Sequence, residues 1–190
     1  MKPLHDILVA RPRILFVGIN PGLRSGEVGH HFAGKGNPFW RLLAAARLTG
    51  SELRCETEDR LRDDGLALTN LCPRVTRLAS ELEKDEIARG RQVLLRKIGR
   101  LRPRVVALVG VTMYRQIVPA GRTPGPGEKP ERLDGARLFV LPNPSGLNAT
   151  FPGFASKLVW FERLRDFAAA EKATAGAGDG LDGRLAGVKR

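Results

Sequence analysis

The chain has 190 residues, 42% of them hydrophobic, with 32 Lys and Arg against 20 Asp and Glu, a formal net charge of +12 and a pI near 10.8. That length and composition suit one globular domain with a substantial core, and no stretch approaches the roughly 18–20 continuous apolar residues of a membrane span. Two cysteines, Cys55 and Cys72, exclude a disulfide framework or a four-Cys zinc site, while the charge excess points to a polyanion, with nucleic acid ahead of an anionic membrane surface.

The opening Met1-Lys2-Pro3-Leu4-His5-Asp6 leads into no signal-type apolar run, so a cytoplasmic location is expected. Ile14 to Val17 then reads as a first strand, followed at once by Gly18-Ile19-Asn20-Pro21-Gly22. Pro38 suits a first helical turn, and Phe39, Trp40, Leu42, Leu43 and Ala46 follow at helical spacing. Leu66 to Thr69 is a second strand. Val93, Leu94, Ile98 and Leu101 form a helical stripe, which Pro103 stops just before a third strand, Val105 to Val109. Arg122 to Pro130, with three prolines and two glycines, reads as a loop without regular structure. A fourth strand, Leu138 to Leu141, runs into Pro142-Asn143-Pro144-Ser145-Gly146-Leu147-Asn148. Trp160, Phe161, Leu164, Phe167 and Ala168 make a last helical stripe.

Strand and helix alternate, which predicts an α/β fold with a central, largely parallel sheet covered on both faces. Residues 1–171 are read as a single domain. From Lys172 onward Ala, Gly, Asp and Arg dominate, and a disordered tail is expected over 172–190. In such a sheet the loops leaving the carboxyl ends of the strands converge on one edge, where ligands bind. Gly18–Gly22 and Asn143–Asn148 are two such loops, and neither supplies a strong base or nucleophile.

Three familiar patterns fail on their residues. Gly18-x-Asn20 opens like a dinucleotide fingerprint but lacks the second and third glycines. Gly29 to Gly36 satisfies GxxxxGK, yet Gly36 stands where a magnesium-holding Ser or Thr is needed. Ser145 sits in Pro-Ser-Gly and suggests a turn serine, with no nucleophile elbow. The adjacent His30 and His31 lack the spacing of a metal-ligand pair.

What remains resembles a known family. Gly18-Ile19-Asn20-Pro21-Gly22, Gly29-His30-His31-Phe32-Ala33-Gly34 and Gly36-Asn37-Pro38-Phe39-Trp40 resemble the first conserved block of the mismatch-specific uracil/thymine DNA glycosylases. Leu141-Pro142-Asn143-Pro144-Ser145-Gly146-Leu147-Asn148 resembles their second, in the family's order and spacing. The likeness runs from about Asp6 to Phe167. It implies a three-layer α/β/α fold and an enzyme that flips uracil, or a related base, out of duplex DNA and hydrolyses its N-glycosidic bond.

By that resemblance Asn20 holds the attacking water, Phe32 stacks on the base, and backbone groups of Gly18 and Ile19 read the pyrimidine edge. Asn143 contacts the target nucleotide or braces the first loop. Gly146, Leu147 and Asn148 form the wedge that fills the vacated stack and faces the opposite guanine. Ser145, Lys35, Arg24 and Lys157 are the expected phosphate contacts. An amide orients water but cannot take its proton at neutral pH, so a dissociative reaction with slow turnover is expected.

The motif loops hold no lysine, which implies a monofunctional enzyme, and no metal, nucleotide or redox cofactor is implied. The expected partner is double-stranded DNA carrying uracil or a mismatched base, met by a monomer with no membrane association. Two departures bear on the base range. Asn70 stands where some relatives carry Lys, and Asn148-Ala149-Thr150-Phe151-Pro152 is closer to the thymine-processing relatives, so uracil, thymine and ethenocytosine all stay open. Asp63 and Asp64, just before the second strand, are the acidic residues outside the motifs that could activate water. The alternative readings are a non-catalytic nucleic-acid-binding protein and a small-molecule nucleoside hydrolase.

Overall fold

A computed structural model describes residues 4–119, 121, 123–145 and 150–176, with side chains as far as 170. The apolar runs form strands because every residue of β1 (Ile14–Gly18) and β3 (Val105–Val109), and nearly every residue of β2 (Leu66–Asn70) and β5 (Ala136–Leu141), is buried. Strands wrapped on both faces need continuous apolar sequence, and these have it. With β4 (Gly127–Leu133) they make one sheet in the order β2-β1-β3-β5-β4. All neighbours are parallel except β4, which runs antiparallel to β5.

Alternate residues of each strand feed two separate cores. Ile14, Phe16, Leu66, Leu68 and Phe139 pack with α2 (Phe39–Ala45) and α5 (Ala155–Gly176) on one face. Leu15, Val17, Ala67, Val106 and Val140 pack with α3 (Lys84–Leu101) and α4 (Val111–Ile117) on the other. This is the expected three-layer α/β/α arrangement. A short α1 (Leu23–Val28) leaves the loop after β1, and a run of 3-10 turns, Cys55–Asp64, precedes β2. From β1 the sheet grows outward to β2 on one side and to β3 on the other. The crevice at this reversal opens at the carboxyl ends of the strands.

Two expectations need correction. Arg122 to Pro130 is not all loop, since β4 begins at Gly127. Pro130 is tolerated because β4 is an edge strand whose register shifts between Lys129 and Arg132. Val93 is not on the buried stripe of α3: it is 47% exposed, and Gly90, Leu94, Ile98 and Leu101 face inward instead. Helix α5 runs to Gly176, and residues 177–190, where most of the expected tail falls, lie outside the described residues.

Candidate active site

At the carboxyl edge a cavity of about 270 Å³ is lined by Gly18, Ile19 and Asn20 from the loop after β1, Phe32, Asn70 at the end of β2, and Asn143 after β5. With Val109 at the end of β3, four strands far apart in sequence thus supply one site. Ser145 and Arg24 also line it. Among its described lining residues there is no Asp, Glu or Lys.

Asn20 is held by one end of its amide. Its Nδ2 donates to the Thr76 hydroxyl at 2.7 Å and the Arg74 carbonyl at 2.9 Å, with the Pro21 carbonyl at 3.2 Å. The Thr76 hydroxyl spends its own proton on the Leu78 carbonyl at 2.8 Å, so towards Asn20 it can only accept. Both protons of the amide nitrogen are engaged, and Oδ1 is the end left to act on a ligand. The segment that pins Asn20 is stitched to the first loop by backbone bonds. Leu71, Cys72 and Thr76 donate to the carbonyls of Gly18, Ile19 and Pro21 at 2.8, 2.9 and 3.1 Å.

Arg74 is anchored in turn by a bidentate pair with Glu86 of α3, both bonds 2.7 Å, and by a bond to the Glu81 carbonyl at 2.6 Å. The guanidinium holds the Glu86 carboxyl down at about 2, with help from the backbone N–H of Glu83.

The aromatic wall is built with similar care. Phe32 is half-buried and stacks on Phe39, with ring centroids 3.9 Å apart and planes 21° off parallel. Phe39 is fully buried and also meets Phe16, Trp40 and Phe161 edge-on. Phe32 has φ of +50°, a left-handed conformation that a bulky residue adopts only when its surroundings enforce it. Those surroundings are local hydrogen bonds. The buried Glu58 carboxylate accepts the His31 N–H at 2.7 Å and meets His30 Nδ1 at 3.0 Å, and the Trp40 indole donates to the His31 carbonyl at 3.1 Å.

Asn70 faces Phe32 across Gly18. His31 Nε2 lies 3.0 Å from the His5 carbonyl, which can only accept, so Nε2 carries the proton of the neutral ring. Nδ1 is then an acceptor, and Asn70 Nδ2 approaches it at 3.4 Å. The Asn70 Oδ1 lies over Gly18, where an added Cβ would stand only 2.4 Å from it. Glycine at 18 is therefore what lets this carbonyl reach the cavity.

Among the expected phosphate contacts, Lys35 is exposed, and Arg24 is exposed but shares a bond with Glu27 at 3.2 Å. Lys157 does not occupy the rim. It is 2% exposed, because it shares the inward stripe of α5 with Phe161, Leu164 and Ala168. The Ser145 N–H donates to Asn143 Oδ1 at 2.9 Å, closing a turn of the second loop. Gly146, Leu147 and Asn148 lie outside the described residues.

Asp63 and Asp64 precede β2 and so lie at the amino edge of the sheet, opposite the cavity; Asp64 Oδ1 is engaged by the Gly50 N–H at 2.9 Å. The sequence reading missed Thr76, Arg74 and Arg77, the last a lining residue of the cavity. Their position just after a strand's carboxyl end was the available signal. It also missed Glu58, for which no motif signal exists. A larger cavity of about 570 Å³ lies beyond Pro21 and Asn70, but its Asp6 carboxylate is already paired with Lys97 at 2.5 Å.

Comparison with known proteins bears on the family and the fold. Residues 5–165 match the family model described as the uracil DNA glycosylase superfamily. Among solved structures, a solution NMR structure from Methanosarcina acetivorans, described there as a candidate uracil DNA glycosylase, superposes with a TM-score of 0.59. The alignment covers 86% of this chain and 98% of that one at 19% identity, a likeness of fold.

Proposed function

This chain belongs to the uracil DNA glycosylase superfamily, and from that premise we propose that it is a monofunctional glycosylase that removes uracil, opposite guanine above all, and leaves an abasic site. The observation that carries this reading is one cavity holding two oriented amides, Asn20 and Asn70, beside the Phe32 ring, with no carboxylate among the described lining residues.

Each part has a task. A base turned out of the stack lies against Phe32, which Phe39 backs. The Asn70 Oδ1 accepts a hydrogen bond from a pyrimidine N3–H. Uracil and thymine carry that proton, whereas cytosine presents a lone pair and is rejected. The bond to the sugar breaks towards an oxocarbenium ion without a carboxylate pair around it. Backbone N–H groups of the first loop stabilise the departing anion. Water held on Asn20 Oδ1 then adds to the sugar, and its proton is lost to solvent after attack. Such a site favours bases that leave easily, so uracil should be released faster than thymine.

Leu147, between Gly146 and Asn148, keeps the wedge role that its motif implies, with Asn143 against the target nucleotide. Arg24, Lys35, Ser145 and Arg77 hold phosphates at the mouth. The decisive experiment incubates the protein with a duplex carrying uracil opposite guanine, then applies hot alkali. Strand scission at the uracil is expected. Scission no greater than the no-enzyme control for uracil, thymine and ethenocytosine alike would sink the enzyme reading in favour of a binding protein.

A further inference from the structure

Asn20 can serve water only if its amide is held one way round, and two of the three groups near its nitrogen belong to residues 74–76. That segment belongs to the connection between β2 and α3; Thr76 is buried and bonded through its backbone to the Pro21 carbonyl, whereas Arg74 is exposed. Beside the Cys72 thiol, which reaches the Glu86 carbonyl at 3.6 Å, the connection is tied to α3 by the Arg74 guanidinium, which grips both oxygens of Glu86 at 2.7 Å. The same carboxylate accepts the Glu83 N–H at 2.8 Å, which fixes it to the first turn of the helix.

Helix α3 is itself packed closely against the sheet. Leu94, Ile98 and Leu101 are in the core, and at Gly90 the helix lies so close that an added Cβ would stand 2.4 Å from the Leu71 carbonyl oxygen. A continuous path therefore runs from a closely packed helix, through one ion pair, to the carbonyl that grips Asn20.

We propose that the Arg74–Glu86 ion pair is a latch whose role is to set which atom of Asn20 faces the cavity. Arg74 and Glu86 are positioning residues here, since neither side chain needs to touch the substrate. The inference rests on the reading of Asn20 as the water-holding group. The pair is partly exposed, with 45% of the Arg74 side chain and 21% of the Glu86 side chain accessible, and exposed pairs contribute little to global stability. Its loss should therefore be felt in the chemical step more than in the fold. Arginine is required over lysine, because only the planar fork fixes two oxygens at once.

The test is single-turnover uracil release at saturating enzyme, run beside NMR measurement of proton exchange at the Asn20 side-chain amide. Arg74→Ala and Glu86→Ala should each slow release about 10- to 100-fold, the scale of a misplaced reacting group. Affinity for a duplex with an uncleavable 2′-fluoroarabino uridine should not change. Glu86→Gln keeps an acceptor for the Glu83 N–H and serves if Glu86→Ala does not fold; Arg74→Lys should fall between wild type and Arg74→Ala. The double variant should be no slower than the worse single one, and Arg74→Ala should add nothing in an Asn20→Ala background.

A full Arg74→Ala effect in that background, a wild-type rate in Arg74→Ala, or unchanged amide exchange would each overturn the latch. If wild type releases no uracil, the glycosylase reading fails by itself. The exchange measurement still decides the latch, with accelerated exchange in Arg74→Ala supporting it and unaltered exchange overturning it.

Discussion

Asn20 is asked to orient water with an atom that cannot accept its proton, so its contribution is geometric. Asn20→Ala should lower the single-turnover rate on uracil duplex about 100-fold, the scale expected for lost positioning, with unchanged affinity for an uncleavable analogue. Equal losses in both measurements would assign Asn20 to binding instead. Gly18 is the sharper case, because its contribution is an absence of atoms. Gly18→Ala places a Cβ 2.4 Å from Asn70 Oδ1, and that side chain must swing aside. Overpacking of this kind costs about 1–3 kcal/mol, less than would unfold most domains, so the variant should remain folded. Base recognition should suffer more, with release of uracil falling while thermal unfolding shifts only modestly. A Gly18→Ala enzyme with wild-type activity would remove Asn70 from base recognition.

The 3-10 run before β2 shows what an irregular element can do for a site it does not line. Glu58 holds the His31 N–H, and through it the left-handed turn that presents Phe32. Glu58→Ala strands a buried N–H, a loss of about 1–3 kcal/mol, and Glu58→Gln should recover part of it by keeping an acceptor. Thermal unfolding of both variants, read beside uracil release, checks this. An unchanged unfolding temperature in Glu58→Ala would show that the turn holds itself. Nothing in Cys55-Glu56-Thr57-Glu58 announces such a contact, because it joins residues brought together only by the fold. The strands were legible because burial on both faces demands runs such as Val105–Val109. Strand β4 was not, since it buries only one of its faces. Gly127–Leu133 turns just Lys129 and Leu133 inward and carries a proline. The same contrast holds in the site. Asn20 and Phe32 stand in motifs, whereas the groups that orient them, Thr76, Arg74 and Glu58, are ordinary residues whose value is positional.

At the scale of the molecule, a net charge of +12 gives DNA binding a large electrostatic share. If four phosphates are contacted, affinity for duplex should fall roughly 100-fold between 50 and 200 mM salt. The log–log slope of affinity against salt counts those contacts, and a flat profile would argue for a small-molecule substrate. The sheet order has one more consequence, for how the protein acquires its activity. The cavity draws on the ends of β1, β2, β3 and β5, and β5 is joined to β1 only through β3, which lies between them. Parallel pairing of segments so distant along the chain is slow, because loop-closure entropy is spent before the contacts form. A partial sheet that lacks β2, β1, β3 or β5 does not contain the site. In refolding from denaturant, uracil release should return only with the last, global phase of Trp40 and Trp160 fluorescence, so that an active molecule is also a completely folded one.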